Sequence, residues 1–117
     1  MRSLVALVLT AAVLPAADPT DKKKELLEQA VKALTDIDPK GKKADVAAAY
    51  ARVGDVFMQL REPEKAADAF GKSLDTNPDP RVQDRRGDAY LWAGKFADAV
   101  ADYDAFLKAE PKFAPKH

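Results

Sequence analysis

The chain has 117 residues, enough for one domain, and its 19 basic and 19 acidic side chains give a net charge of zero. Nucleic-acid-binding domains usually carry a basic excess, so this balance argues against one. There is no cysteine, and the single histidine is the last residue, His117. The composition excludes a disulfide framework and thiolate metal sites, and it argues strongly against histidine catalysis and histidine metal sites.

The first 17 residues have the layout of a secretory signal. Arg2 is followed by an apolar run from Leu4 to Leu14 and then by small residues, and the segment contains no acidic side chain. A membrane-spanning helix needs about 20 apolar residues, so the run is short for one. We therefore predict export to the periplasm or the medium, with a mature chain that begins near Asp18. Because Pro15 lies where a small residue is preferred before the cleavage site, an uncleaved N-terminal membrane anchor is the alternative.

The rest of the sequence predicts helices only, because no run alternates apolar and polar residues with a period of two. The first helix is expected from Asp21 to Ile37, with Thr20 or Asp21 as its N-cap and Pro39 as its stop. Together with a lysine-rich linker it makes up residues 18–43. Its expected buried stripe consists of Leu27, Ala30, Val31, Leu34 and Ile37, with Leu26 beside it.

From Ala44 onward the sequence repeats itself with a shift of 33 residues, a period typical of stacked helical repeats. Each copy holds two helical segments, predicted at 44–60 and 64–76 in the first copy and at 80–93 and 96–110 in the second. The copies span residues 44–79 and 80–113, and residues 114–117 resemble the start of an incomplete further repeat. Identical residues align at Arg52 and Arg85, Gly54 and Gly87, Asp55 and Asp88, Ala66 and Ala99, Leu74 and Leu107, and Pro78 and Pro111.

The two copies resemble the tetratricopeptide repeat, and with the N-terminal segment they resemble an exported bacterial protein of that type. The first copy reads Tyr50-x2-Val53-Gly54-x2-Phe57, then Ala66-x3-Phe70, then Pro78; the second reads Gly87-x2-Tyr90, Ala99-x3-Tyr103, Pro111. The resemblance implies an all-α solenoid of tandem helical hairpins, wound as a right-handed superhelix of about five helices after the signal segment.

The first helix resembles the second half of one more repeat, with Leu27, Val31, Leu34 and Pro39 in the places of Ala66, Phe70, Ser73 and Pro78, although Leu27 is not small. In the second copy, Gln83 and Arg86 stand where the family prefers large apolar residues, which predicts an irregular interface there.

The resemblance also implies that partners bind on the concave side, which the first helix of each repeat lines. A helical wheel places a mixed polar set on that face, away from Tyr90 and Gly87. Trp92 is unusual there, because large aromatic side chains are rare on a simply solvated face and frequent at binding hot spots. The alternative is a solvated face with Arg81–Asp84 and Arg85–Asp88 as local ion pairs. The candidate partner-binding residues are Arg52, Asp55, Met58, Gln59, Arg81, Arg85, Asp88 and Trp92.

The sequence predicts binding rather than catalysis. No serine has a histidine to activate it, and the carboxylates, Asp102 among them, are expected on exposed faces or in turns. Ala51, Asp55 and Asp88 stand where one subclass of the family needs lysine and asparagine to clamp a peptide's C-terminal carboxylate, so that ligand is not expected. We predict no enzyme, no metal, no cofactor and no nucleic-acid partner, but a scaffold that binds a protein or peptide. The alternative is a structural or self-associating piece of a longer array, because the last hairpin lacks a covering helix.

Overall fold

The computed structural model describes residues 19–110, with side chains from residue 21. Its five helices follow one another without a strand in this range, and those of the two repeats are confirmed to within one residue at each end. The first helix begins two residues earlier than predicted, so Thr20 and Asp21 lie in its first turn and do not precede it as N-caps. The predicted signal, Pro111 and the segment 114–117 fall outside the described residues. The helices are α1 (Pro19–Thr35), α2 (Lys43–Gln59), α3 (Pro63–Thr76), α4 (Pro80–Trp92) and α5 (Phe96–Ala109).

The hairpins α2–α3 and α4–α5 close through the same turn. The amide of Glu62 donates to the carbonyl of Phe57 at 2.9 Å, and the amide of Lys95 donates to that of Tyr90 at 2.8 Å. This helix-ending pattern needs a residue in the left-handed region, which is Gly94 (φ 80°) in the second turn and Arg61 (φ 61°) in the first. Each residue of the first turn is 33 positions before its counterpart in the second, so the two turns confirm the repeat.

Each hairpin is held together where a glycine meets an aromatic ring. A Cβ atom placed on Gly54 would overlap the ring of Phe70, and one on Gly87 would lie 2.7 Å from Cε1 of Tyr103. Phe70 is fully buried, and the small residues Ala66 and Ala99 are at most 1% exposed. The predicted close approach of the paired helices is therefore confirmed.

The main core joins α2, α3 and α4, and a smaller cluster joins α1 to α2. Leu26 and Ala30 of α1 pack with Val56 of α2 in the smaller cluster. None of the described helices has the length and apolar content needed to cross a membrane. The buried members of the main core are Ala51, Ala66, Ala67, Phe70, Val82 and Ala89.

The buried face predicted for α1 is wrong for three of its residues. Leu27, Val31 and Leu34 are 43%, 58% and 43% exposed, whereas Leu26 and Ala30 are buried. The predicted equivalence of Leu27, Val31 and Leu34 to Ala66, Phe70 and Ser73 is therefore also wrong. Ala66, Phe70 and Ser73 are buried, whereas the three α1 residues are exposed. Leu26 and Leu27 head two neighbouring apolar stripes, and α2 packs on the one that Leu26 heads, where Leu26 and Ala30 form a cluster with Val56.

An ion pair explains why Arg86 stands at an interface position where a large apolar residue was expected. Its Nε and Nη2 atoms each donate to a carboxylate oxygen of Asp102 at 2.8 Å, which joins α4 to α5. This hydrogen-bonded carboxylate raises the pKa of Arg86. The equivalent positions of the first copy hold Val53 and Ala69, which are both buried. Asp102 is 3% exposed, which corrects the expectation of a solvated carboxylate.

Candidate partner-binding site

A cleft between α2 and α4 contains half of the predicted binding residues. Small side chains of α2 form its floor, since alanine at these positions leaves space between the two helices. Arg52, Asp55, Arg81 and Arg85 lie together along it, as predicted for one face of these helices. The other lining residues are Ala44, Ala47, Ala48, Ala51, Ser73, Asn77, Asp79 and Val82.

One ion pair crosses this cleft. Nη1 of Arg85 lies 3.1 Å from Oδ2 of Asp55, and both side chains are nearly half exposed. Partial burial raises the pKa of Asp55, although the positive charge of Arg85 opposes the shift. The predicted local pair of Arg85 with Asp88 does not form, because Asp55 on the neighbouring helix takes its place.

Asp79 both starts α4 and positions an arginine at the cleft. Its Oδ1 accepts the backbone amide of Arg81 at 2.9 Å, which confirms the predicted N-cap. Its Oδ2 lies 3.3 Å from Nη2 of Arg81, so Arg81 pairs with Asp79 and not with Asp84 as predicted. Partial burial alone would raise the pKa of Asp79, but the hydrogen bonds from Arg81 lower it below its usual value.

Asp88 is engaged within its own hairpin. The hydroxyl of Tyr103 on α5 donates to Oδ1 of Asp88 at 2.5 Å. Partial burial and this carboxylate raise the pKa of Tyr103. Asp88 therefore helps to hold α5 against α4 and does not line the cleft.

The remaining three predicted residues lie toward the C-terminal ends of α2 and α4. Met58 is partly buried against the main core. Gln59 and Trp92 are the last residues of their helices, 33 positions apart, and both are exposed. Trp92 is 52% exposed, as a residue free to contact a partner must be.

The structure also shows a groove between α1 and α2 that was not predicted from the sequence. Arg52 borders it as well as the cleft, so the two depressions lie on either side of this arginine. Lys32 and Ile37 contribute from the α1 side, and Ala49 and Val56 contribute from α2. The repeat contained a signal for it, because Ala49, Arg52 and Val56 align with Val82, Arg85 and Ala89 of α4.

Between residues 19 and 110 no group of three or more histidine, aspartate or glutamate side chains is arranged to hold a metal ion. In the same range every buried side-chain nitrogen and oxygen atom has a hydrogen-bond partner. The cleft presents alanine side chains, the ion pairs Arg81–Asp79 and Arg85–Asp55, and the exposed Arg52 to a ligand.

Comparisons with known proteins place the chain in a family. The tetratricopeptide repeat-like domain matches residues 8–115. The chain is similar to tetratricopeptide repeat protein 21A of Mus musculus, with 37% identity over 57 residues, and to that of Homo sapiens, with 35% over 57. Each match covers 48% of this chain and 4% of the relative's length. No solved structure matches the chain. With the family match extending over nearly the whole sequence, the chain belongs to the tetratricopeptide repeat-like domain family.

Proposed function

We propose that this chain is a scaffold module that binds another protein or a peptide on the surface framed by α2 and α4. Domains of this family are generally non-catalytic and mediate protein–protein interactions. The observation that carries the proposal is the cleft with its alanine floor, bordered by Arg52, Arg81 and Arg85. Arginine is enriched at binding hot spots, and a floor of small side chains lets a ligand approach the helix backbone.

Trp92, at the C-terminal end of α4, tests whether the partner surface extends beyond the residues that line the cleft. We expect Trp92→Ala to weaken binding of a partner captured from the host's cell extract by about 2 kcal/mol, because exposed tryptophan is a frequent hot spot. The melting temperature is expected to change little, since the side chain is 52% exposed. Tryptophan emission of the free chain is expected to be red-shifted and to move to shorter wavelength when the partner is added.

Lys95→Ala is the matched control, because Lys95 is exposed and lies beyond the end of α4. If the Trp92→Ala variant and the unchanged chain bound the partner with equal affinity, Trp92 would not be part of the binding site. A large loss of stability in that variant would instead make the residue structural.

The composition of residues 1–17 supports export as the second part of the proposal. We propose that the chain acts in the periplasm or outside the cell, after cleavage near Asp18. N-terminal sequencing of protein isolated from its host is expected to begin near that residue. Intact Met1 in the soluble cytoplasmic fraction would contradict export, and intact Met1 in the membrane fraction would indicate a retained anchor.

A second candidate function, self-association, is favoured by apolar surface on α5. Phe96 and Val100 are 63% and 57% exposed, whereas Ala67, which aligns with Val100, is 4% exposed and packs in the core with Val82 of the next helix. Exposed apolar surface of this kind tends to be buried by association. Sedimentation is expected to show dimers at high concentration, and Val100→Lys is expected to abolish them. A chain that stays monomeric at all concentrations would contradict self-association, and the scaffold function would then be the remaining proposal.

A further inference from the structure

The two end helices of the described array each keep an apolar face uncovered. Every inner helix packs on both of its neighbours in sequence, whereas α1 packs mainly on α2 and α5 packs mainly on α4. Leu27, Val31 and Leu34 are exposed along α1. Phe96 and Val100 are exposed along α5. Apolar side chains thus face solvent at both ends of the part of the chain that the structure describes.

The first repeat shows how this chain covers the face that α5 leaves open. Ala67 of α3, the equivalent of Val100, is buried in the main core together with Val82 of the following helix, α4. Met58, the equivalent of Leu91, packs against the same core, whereas Leu91 is 50% exposed. The open surface of the second repeat is therefore of a type that a further apolar helix covers.

A row of side chains on α5 matches a row on α1 in spacing and in charge. Side chains four residues apart form a ridge along one face of a helix. On each of these two ridges, two neighbouring apolar residues are followed by a charged one. The members are Phe96, Val100 and Asp104 on α5 and, read against the chain direction, Val31, Leu27 and Lys23 on α1. When the two helices are placed antiparallel, as helices joined by short turns are, apolar residues face apolar residues and the two charged residues face each other.

The two charges that face each other have opposite signs. Asp104 and Lys23 are both exposed, and neither forms an ion pair with any residue between 19 and 110. Lys24 lies beside Lys23 and adds positive charge opposite Asp104. The antiparallel arrangement therefore gives a carboxylate and an ammonium group partners that they lack in the single copy.

The other charges near the two ridges are compatible with the same arrangement. Helical geometry places Glu28 opposite alanine side chains of α5, and Asp98 points away from the contact. Lys108, one turn beyond the end of the α5 row, comes opposite the first turn of α1, which contains the acidic Asp21. No like charges are brought together.

Resting on the self-association proposed above, we infer that copies of this chain associate head to tail, with α5 of one copy packed antiparallel on α1 of the next. One such contact covers the apolar faces of both end helices, whereas pairing of α5 with α5 would leave Leu27 and Val31 exposed. Because the two surfaces differ, each dimer keeps a free α1 and a free α5, so that larger species form at higher concentration. The predicted signal does not compete for α1, because the proposed export removes residues 1–17.

Two variants of the full chain, each blocked at one end, test this inference. Val31→Lys places a charge in the α1 row, and Val100→Lys places one in the α5 row; both valines are more than half exposed, so folding is expected to be unaffected. In sedimentation velocity, each variant alone is expected to stay monomeric at concentrations at which the unchanged chain forms dimers and larger species. An equal mixture is expected to form dimers and nothing larger, because one intact α1 face and one intact α5 face remain.

Gln29→Lys is the matched control, because it adds the same charge on the side of α1 that faces away from the row. This variant is expected to associate like the unchanged chain. A mixture of Val31→Lys and Val100→Lys that stays monomeric would overturn the inference. A Val31→Lys variant that associates like the unchanged chain would also overturn it and would indicate pairing of α5 with α5, so self-association itself would stand. An unchanged chain that stays monomeric would contradict both proposals.

The facing charges provide a second measurement in the same mixture. Lys23→Glu, added to the Val100→Lys variant, is expected to weaken the mixed dimer about fivefold, because a repulsion replaces an attraction between exposed charges. Asp104→Lys, added to the Val31→Lys variant, is expected to restore the affinity. Such restoration cannot result from a loss of folding and would identify the antiparallel contact. An affinity that stays low would show that α5 does not lie on α1 in this way.

Discussion

Replacing Arg86 with valine is expected to lower the free energy of unfolding by about 3 kcal/mol, because it leaves a buried carboxylate without its partner. Asp102 is 3% exposed, and its two oxygens accept two hydrogen bonds of 2.8 Å from Arg86. Urea unfolding at neutral pH, followed by circular dichroism, measures the loss.

The first repeat supplies the matched control for this prediction. Val53 and Ala69 fill the equivalent positions and are both buried. The double variant Arg86→Val/Asp102→Ala copies that apolar pair and is expected to be within about 1 kcal/mol of the unchanged chain, because replacing both members of a buried ion pair is often neutral. If the double variant were as unstable as Arg86→Val alone, the unpaired carboxylate of Asp102 would not be the cause of the lost free energy of unfolding.

Replacing Gly54 with alanine is expected to cost about 2 kcal/mol, although alanine is intrinsically the better helix former by about 1 kcal/mol. The added Cβ would overlap the ring of Phe70, which is fully buried and has no room to move. For a domain of this size the loss corresponds to a melting temperature lower by about 10 °C. Gly87→Ala is expected to cost less, because Tyr103 is only partly buried and can shift.

Gly71 is the control for the glycine substitutions. It lies within α3, and a Cβ placed there would meet only Nη1 of Arg86 at an ordinary 3.6 Å. Gly71→Ala is therefore expected to stabilise the chain by up to about 1 kcal/mol through helix propensity. If Gly54→Ala were also stabilising in differential scanning calorimetry, the close packing of α2 on α3 would be wrong.

The repeat was predictable because its determinants are local. A glycine opposite an aromatic residue and a proline or glycine at each turn recur at a fixed spacing, so the ends of α2 to α5 follow from the sequence. The orientation of α1 did not follow, because Leu26 and Leu27 head two apolar stripes of similar strength. Only the tertiary contact with Val56 selects between them.

The candidate site was predicted in part. Helical periodicity placed Arg52, Asp55, Arg81 and Arg85 on one face, and the structure gathers them in one cleft. Periodicity describes single helices, and therefore it suggested pairs within α4. The observed partners of Arg85 and Asp88 lie on α2 and α5, at sequence separations of 30 and 15 residues. Such pairs depend on how the helices pack.

Site-specific photo-cross-linking tests the central claim, that the surface framed by α2 and α4 binds a partner, most directly. A photoreactive benzoylphenylalanine is placed at Ala48, an exposed residue of the cleft, or at Asp68, an exposed residue of α3 outside it. When the chain is irradiated in its host, a cross-link to another protein is expected from position 48 and none from position 68. Cross-links to other proteins from position 68 alone would contradict the claim that this surface binds a partner.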